Sequence, residues 1–208
     1  MIDTTSNLNM QHQNFNEEQK EILLAQIREC FGRVVYSHKT HEKQADIFRG
    51  KDTFWTWMQI ILSVVASGSF LATFSDLFGF DKWFSLLGAV LTALVAAINL
   101  YFKNFSYSAE SLRHKETAIQ LWDIRETYIS LITDLTTMSI SIEKAKIIRD
   151  ELQIKLQDVY KNAPQTTTKA YFKAQDALKF KEDLTFLPHE IDMFLPDKLR
   201  LKSNTEES

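Results

Sequence analysis

The string SHKTHE places His38 and His41 three residues apart with Glu42 adjoining, the nearest approach in this chain to a metal-binding pattern. On a helix that spacing lets both imidazoles reach one ion. The string is neither HExxH nor HxxEH, and no third ligand stands near it in sequence, so the expectation is a solvated helix beside a membrane rather than a metal site. There is no Gly-rich phosphate loop, no GxSxG elbow and no pair of carboxylates in an apolar setting. The single Cys30 excludes an internal disulfide and any CxxC site. The residues therefore predict no enzyme, no catalytic centre and no cofactor.

A second set of polar side chains is spaced to line or to pack rather than to react. Thr56, Gln59, Ser63 and Ser67 fall within about 80° of one another on a helix, and the same face continues outward as Phe70 and Phe74. A polar stripe ending in aromatics suits a pore with an apolar gate. The same groups also suit packing inside a hairpin, where Gln59 and Asn99 stand at similar depth and could bond each other for about 0.6 to 2 kcal/mol. Packing is the commoner use of such residues. Ser85, Ala89, Ala93 and Ala97 recur at every fourth position with Gly88, Thr92 and Ala96 beside them, two ridges of small residues that allow helices to approach closely in lipid.

The elements that carry these side chains are two uncharged runs in a chain of 208 residues that is 25% charged overall. TFWTWMQIILSVVASGSFLATFS lies between Asp52 and Asp76, and WFSLLGAVLTALVAAINLYF lies between Lys82 and Lys103. The second matches the roughly 20 residues with which a helix crosses a hydrocarbon core of about 30 Å. Phe54, Trp55 and Trp57 open the first run, where aromatic rings suit the membrane interface. A helix of a soluble bundle would alternate with charge every three or four residues, and neither run does. The first run also starts too far into the chain, without a small-residue cleavage site, to read as a signal peptide. No Asp, Glu, Lys, Arg or His lies inside either run, which disfavours a proton relay or coupled transporter. Arg33, Lys39, Lys43, Arg49 and Lys51 precede the first run and Lys103, Arg113 and Lys115 follow the second, whereas the connecting DLFGFDK offers only Lys82. Both termini are thus expected in the cytoplasm.

The chain reads as an all-α membrane protein: a two-helix transmembrane hairpin with an N-terminal juxtamembrane helix and a C-terminal cytoplasmic helical bundle with coiled-coil character. Residues 1–14 lack apolar density and are expected to be disordered. A cytoplasmic amphipathic helix covers 15–52, with Leu23, Ile27, Cys30, Val34, Ala45 and Phe48 on its apolar face and Gly32 as a weak point. The hairpin covers 53–102, with spans 53–75 and 83–102, and a cytoplasmic helical region covers 103–208. In that region Leu121, Ile124, Tyr128, Leu131 and Leu135 recur at three-four spacing, as do Ala145, Ile148, Leu152, Leu156 and Val159. TTMSIS between them predicts a bend, with Ser141 capping the next helix. Pro164 ends that helix, KAYFKAQDALKFK forms a shorter one, and Pro188 starts a terminal one over HEIDMFLPDKLR.

Net charge is −3 with acids and bases interspersed, so no direct nucleic-acid binding is expected. The order of parts carries a resemblance: GRVVYSHKTHEKQADIF, two spans with a tight outer loop, ESLRHKETAIQLWDIRETYISLITDL, SIEKAKIIRDELQIKLQDVYKNAPQTTTKAYFKAQDAL and LPHEIDMFLPDKLR. This layout resembles the SLATT family, the SMODS and SLOG-associating two-transmembrane effector domains of bacterial conflict systems, over roughly Gly32 to Arg200 and in a branch with a long helical tail. The resemblance implies an inner-membrane effector that homo-oligomerises and forms a pore, breaching the membrane when a cytoplasmic partner senses invasion. It further implies an operon-encoded partner that makes or senses nucleotides, or a reverse transcriptase. It carries over no active-site residues. The alternative reading is a helical scaffold merely anchored by the hairpin.

Overall fold

The computed structural model describes residues 3–65 and 81–200, and every regular element in them is helical. Helix α1, Asp3–Val65, runs 63 residues without a break, about 95 Å at 1.5 Å per residue. It begins inside the segment where the sequence predicts disorder and passes through Gly32 without a break. A Cβ built at Gly32 or Gly50 meets nothing within 4 Å, so neither glycine is there to admit a close neighbour. The juxtamembrane helix and the start of the first uncharged run, separate segments in the sequence reading, are one helix.

Helix α2, Asp81–Asn104, contains the second uncharged run. Helix α3, Tyr107–Thr136, begins at an N-cap on Ser106, whose hydroxyl accepts from Ala109 N at 3.1 Å, with Glu110 in the first turn where a negative charge opposes the helix dipole favourably. The bend after α3 falls in TTMSIS: Thr137 ends the helix, Met138 takes a left-handed φ of 57°, and Ser139 N donates to Asp134 O at 2.9 Å. Helix α4, Ile142–Asn162, then starts on Ser141, whose hydroxyl accepts from Lys144 N at 3.2 Å. It stops before Pro164. Helix α5, Thr168–Lys179, is capped by Thr167, and helix α6, Pro188–Phe194, is followed by a single 3-10 turn over Asp197–Leu199. The terminal helix expected over 189–200 is thus split. Leu195 precedes Pro196 and is held extended, at φ −93° and ψ 145°, because the proline ring disfavours a helical residue before it.

Packing follows the predicted seams. Leu23, Ile27, Cys30 and Val34 of α1 meet Leu121, Ile124, Tyr128, Leu131 and Leu135 of α3 and Ala145, Leu152 and Val159 of α4 in one core. Ala45 O accepts from Ser111 at the membrane-proximal end, while Gln26 and Ser37 meet Arg149 and Tyr160 of α4. The helix α3 therefore runs antiparallel to α1, and α4 returns parallel to it. Tyr128 is wholly buried, and its phenol is pushed up to about 12 by burial and by the Cys30 thiol beside it.

Toward the apolar end, α2 lies against α1. Among the described residues one helical stretch, starting at Leu86, is long and apolar enough to cross a membrane, and only 6% of its apolar window is buried. The face of α2 turned inward is Gly88, Leu91, Val95, Ile98 and Phe102, spaced three and four residues apart. Leu86, Val90, Leu94 and Leu100 face out, as do Phe54, Trp57, Ile61 and Val64 of α1.

Candidate functional site

The register that buries Ile27 and Val34 in α1 continues at seven-residue steps to His41 and Phe48, and the register of Leu135, Tyr128 and Leu121 in α3 continues backward to His114. Positions that are aliphatic in the lower bundle are therefore imidazole near the membrane. His41 Nδ1 and His114 Nδ1 lie 2.9 Å apart, with both rings almost fully buried. One nitrogen of the pair carries the proton and the other accepts it, so the two rings are neutral and in opposite tautomers. Burial, then the proximity of His114 and His38, lowers the His41 pKa to about 4. His114 is lowered by burial too, with Glu110 opposing and Arg113 assisting.

Around this pair stands a layer of buried polar groups. Gln44 is 1% exposed, and its Oε1 accepts from Thr167 N at 3.0 Å and from Thr167 Oγ1 at 2.7 Å, fixing the start of α5 against α1. Lys39 pairs with Glu42 at 2.9 Å and with Asp183 at 3.0 Å, and Lys43 reaches the same Asp183 oxygen at 3.5 Å. Burial pulls the Lys39 pKa down, but the bonds to Glu42 and Asp183 outweigh it and leave the ammonium above its ordinary value. The Lys39 bond in turn holds the Asp183 carboxyl below the usual carboxylate range. His38 sits edge-on to Trp122 at 5.6 Å, and Arg125 lies 4.6 Å over the same indole. The His38 pKa is lowered, chiefly by burial, and its Nδ1 has no hydrogen-bond partner.

An aromatic collar closes the layer toward the apolar end. The His114 ring stacks on Phe48 at 5.5 Å, Phe48 on Tyr107 at 6.2 Å, and the Lys51 ammonium lies 5.6 Å from both of those rings. Phe102 meets Trp55 and Tyr107, tying the ends of α1, α2 and α3 together.

The expected solvated pair at His38 and His41 is corrected here. Both are buried, and they diverge: His41 turns to His114 and His38 to Trp122, so they share no ion. Among the described residues no group of three or more His, Cys, Asp or Glu is placed to hold a metal. Of the polar stripe, Gln59 Nε2 donates to Asn99 Oδ1 across the two apolar helices, Thr56 and Gln59 border a small recess with Phe102 and Ser106, and Ser63 is exposed. Ser67, Phe70 and Phe74 lie outside the described residues, as does the side chain of Ser85. Thr92 donates to Gly88 O at 2.8 Å, whereas Ala89, Ala93, Ala96 and Ala97 are exposed. The sequence reading missed His114, Gln44, Lys39 and Asp183. The seven-residue continuation was the available signal for His114; Asp183 approaches only through the loop after α5 and left none.

Among the described residues every regular element is helical, and a buried polar layer leads directly to exposed apolar helices, one of them long and apolar enough to cross a membrane. The family model of the SMODS and SLOG-associating 2TM effector domain family 4 matches residues 23–190, from the first core leucine of α1 into α6, and the chain belongs to that family. No curated protein and no solved structure matches it.

Proposed function

We propose that this chain is a bacterial inner-membrane effector of an antiviral system whose two spans form a hairpin, assemble with other copies and open a pore when a cytoplasmic partner or nucleotide signal is sensed. The observation that carries this reading is the orientation of α2. Its face against α1 is aliphatic and aromatic apart from Gly88 and the Asn99 amide that meets Gln59, while the small residues Ala89, Ala93 and Ala97 are exposed, where they serve contact with another chain. A two-helix hairpin encloses no lumen, so conduction requires several copies around an axis. Membership in an effector-domain family supports the same role. Both termini then lie in the cytoplasm, and the His41–His114 layer sits just below the bilayer.

Opening a state populated at about 1% to about 99% requires a signal worth roughly 5.5 kcal/mol of preference for the open form. Liposomes containing the purified protein should hold dye until the protein coded beside it, or its nucleotide product, is added. Liposomes that stay intact under every condition argue against a pore. The anchored-scaffold reading is favoured by the core of the described chain, which lies in α1, α3 and α4 and not in the apolar helices. The two separate on Ser63→Leu, which blocks leakage if Ser63 lines a pore and leaves the phenotype unchanged if the hairpin is an anchor.

A further inference from the structure

An exposed apolar helix face and an open groove with one apolar wall meet at the loop after α5, the opposite wall of the groove being the charged α1 residues Lys39, Glu42, Lys43, Asp46, Arg49 and Asp52. The C-terminal segment exposes Phe186 at 63% and Phe194 at 79%, with Leu187 and Ile191 also exposed. Leu187, Ile191 and Phe194 are spaced four and three apart and so share one face of α6 and its cap. No other described helix packs extensively on α6. Beside it, α1 and α3 enclose an open groove of about 670 Å³. Buried Ala45 and Ala118 form its floor, and Leu112, Ile119 and Trp122 line the α3 wall with their side chains exposed.

Asp183 joins the two. Its carboxylate is held by Lys39 and Lys43, and both lysines line the groove, so the chain passes the groove's rim at this point. Its neighbours Glu182 and Leu184 adopt φ of 53° and 71°, the left-handed region that costs a non-glycine residue roughly 1–2 kcal/mol. The turn is closed by Thr185 N to Glu182 O at 2.9 Å, and Asp183 itself is fastened to the end of α5 by its N to Ala177 O at 2.9 Å. An anchored residue followed by strained backbone is a hinge, since relaxing Leu184 redirects everything beyond it while Asp183 stays held.

We propose that α6 docks in the α1–α3 groove of its own chain, turning about Leu184 so that Leu187, Ile191 and Phe194 pack on Leu112, Ile119 and Trp122. The distances permit it with the Asp183 anchor intact. The three residues from Leu184 to Leu187 reach about 10 Å when extended. The helix itself is about 10 Å long, and the α1 wall from Lys39 to Asp52 about 20 Å. The occupant is the chain's own segment because its anchor is already on the rim. The docking is independent of whether the hairpin conducts.

The test uses the full chain in lipid nanodiscs, in a Cys30→Ala background with helicity checked by circular dichroism. Ile119→Cys is combined with Ile191→Cys, and separately with Met193→Cys, which lies on the opposite face of α6. Under a thiol oxidant the Ile191 pair should form an intrachain disulfide about tenfold faster than the Met193 pair, the ratio given by about 1.4 kcal/mol of docking preference. Adding Phe194→Asp should bring the faster rate down to that of the control. Equal rates for the two pairs, as expected if α6 lies on the bilayer, overturn the proposal. So does a disulfide between chains, which would assign the groove to a second copy, and so does a rate indifferent to Phe194→Asp.

Discussion

Mild acid should loosen the contact between α1 and α3, and the His41–His114 pair sets the size of the effect. In the folded chain the two Nδ1 atoms stand 2.9 Å apart with one proton between them, so a second proton places two N–H groups face to face in a buried site. His41 has a folded pKa of about 4 against 6.5 when unfolded. A group depressed in this way contributes stability that is complete above about pH 6.5 and is lost as pH falls toward 4, because the unfolded chain takes up the proton first. At full protonation the loss is about 3 kcal/mol, and at pH 5 about 2 kcal/mol. The His114 shift has the same sign and adds to it. Thermal melts of the detergent-solubilised protein by circular dichroism should therefore drop by about 4–8 °C between pH 7 and pH 5. His41→Gln keeps a neutral hydrogen-bonding side chain and has nothing to titrate, so its melt should be markedly flatter over the same range. If the two proteins respond alike, or if the natural chain gains stability on acidification, the pair is not the titrating contact.

Three further outcomes are expected. Leu131→Ala, in the centre of the shared core, should cost about 2–5 kcal/mol in denaturant melts, since the site is walled by helices on two sides and has little freedom to collapse. Gly32→Ala should raise stability by up to about 1 kcal/mol, because the position is mid-helix with open space around it; a loss would show that Gly32 is needed for another conformation of α1. Asp183→Ala should remove one partner of the buried Lys39 ammonium, costing about 1–3 kcal/mol and speeding proteolysis after Phe180. Unchanged cleavage would mean that the Lys39 clip does not hold the C-terminal segment.

What the sequence made legible was decided by periodicity. Leu23, Ile27 and Val34 on α1 and Leu121, Tyr128 and Leu135 on α3 repeat where the core needs them, and the structure buries each. The bend at TTMSIS was legible because Ser141 can cap and β-branched residues are poor helix formers, and the end of α4 because Pro164 lacks an amide proton. The polar layer was not legible for the same reason the core was. A search for apolar residues at three-four spacing discards His41 and His114, although they continue the very seam that Val34 and Leu121 define. Gln44 and Thr167 are 123 residues apart, and no local rule pairs an amide with a distant helix cap. The helical course of α1 from Asp3 left no signal in the sequence, because low apolar density argues against tertiary packing more strongly than against extending an existing helix.

Why a polar layer should sit at this depth follows from the continuity of α1. A helix that runs unbroken from the core to Val65 carries any rotation or slide of its lower half into the apolar segment, since it has no joint at which to absorb the motion. Leucines on both sides of such a seam tolerate neighbouring registers, because one apolar contact replaces another at little cost. The groups below the bilayer do not. His41 meets one imidazole, Gln44 meets one capping threonine, and Lys39 is neutralised by Glu42 and Asp183. Displacing α1 by one turn would leave each of these buried and unpaired, at about 1–3 kcal/mol apiece. The layer thus adds little to stability over an apolar filling but fixes one register of α1 against α3 and α5. A signal that re-pairs these groups in a second register would move the membrane segment with it, and one that protonates the imidazoles would release it.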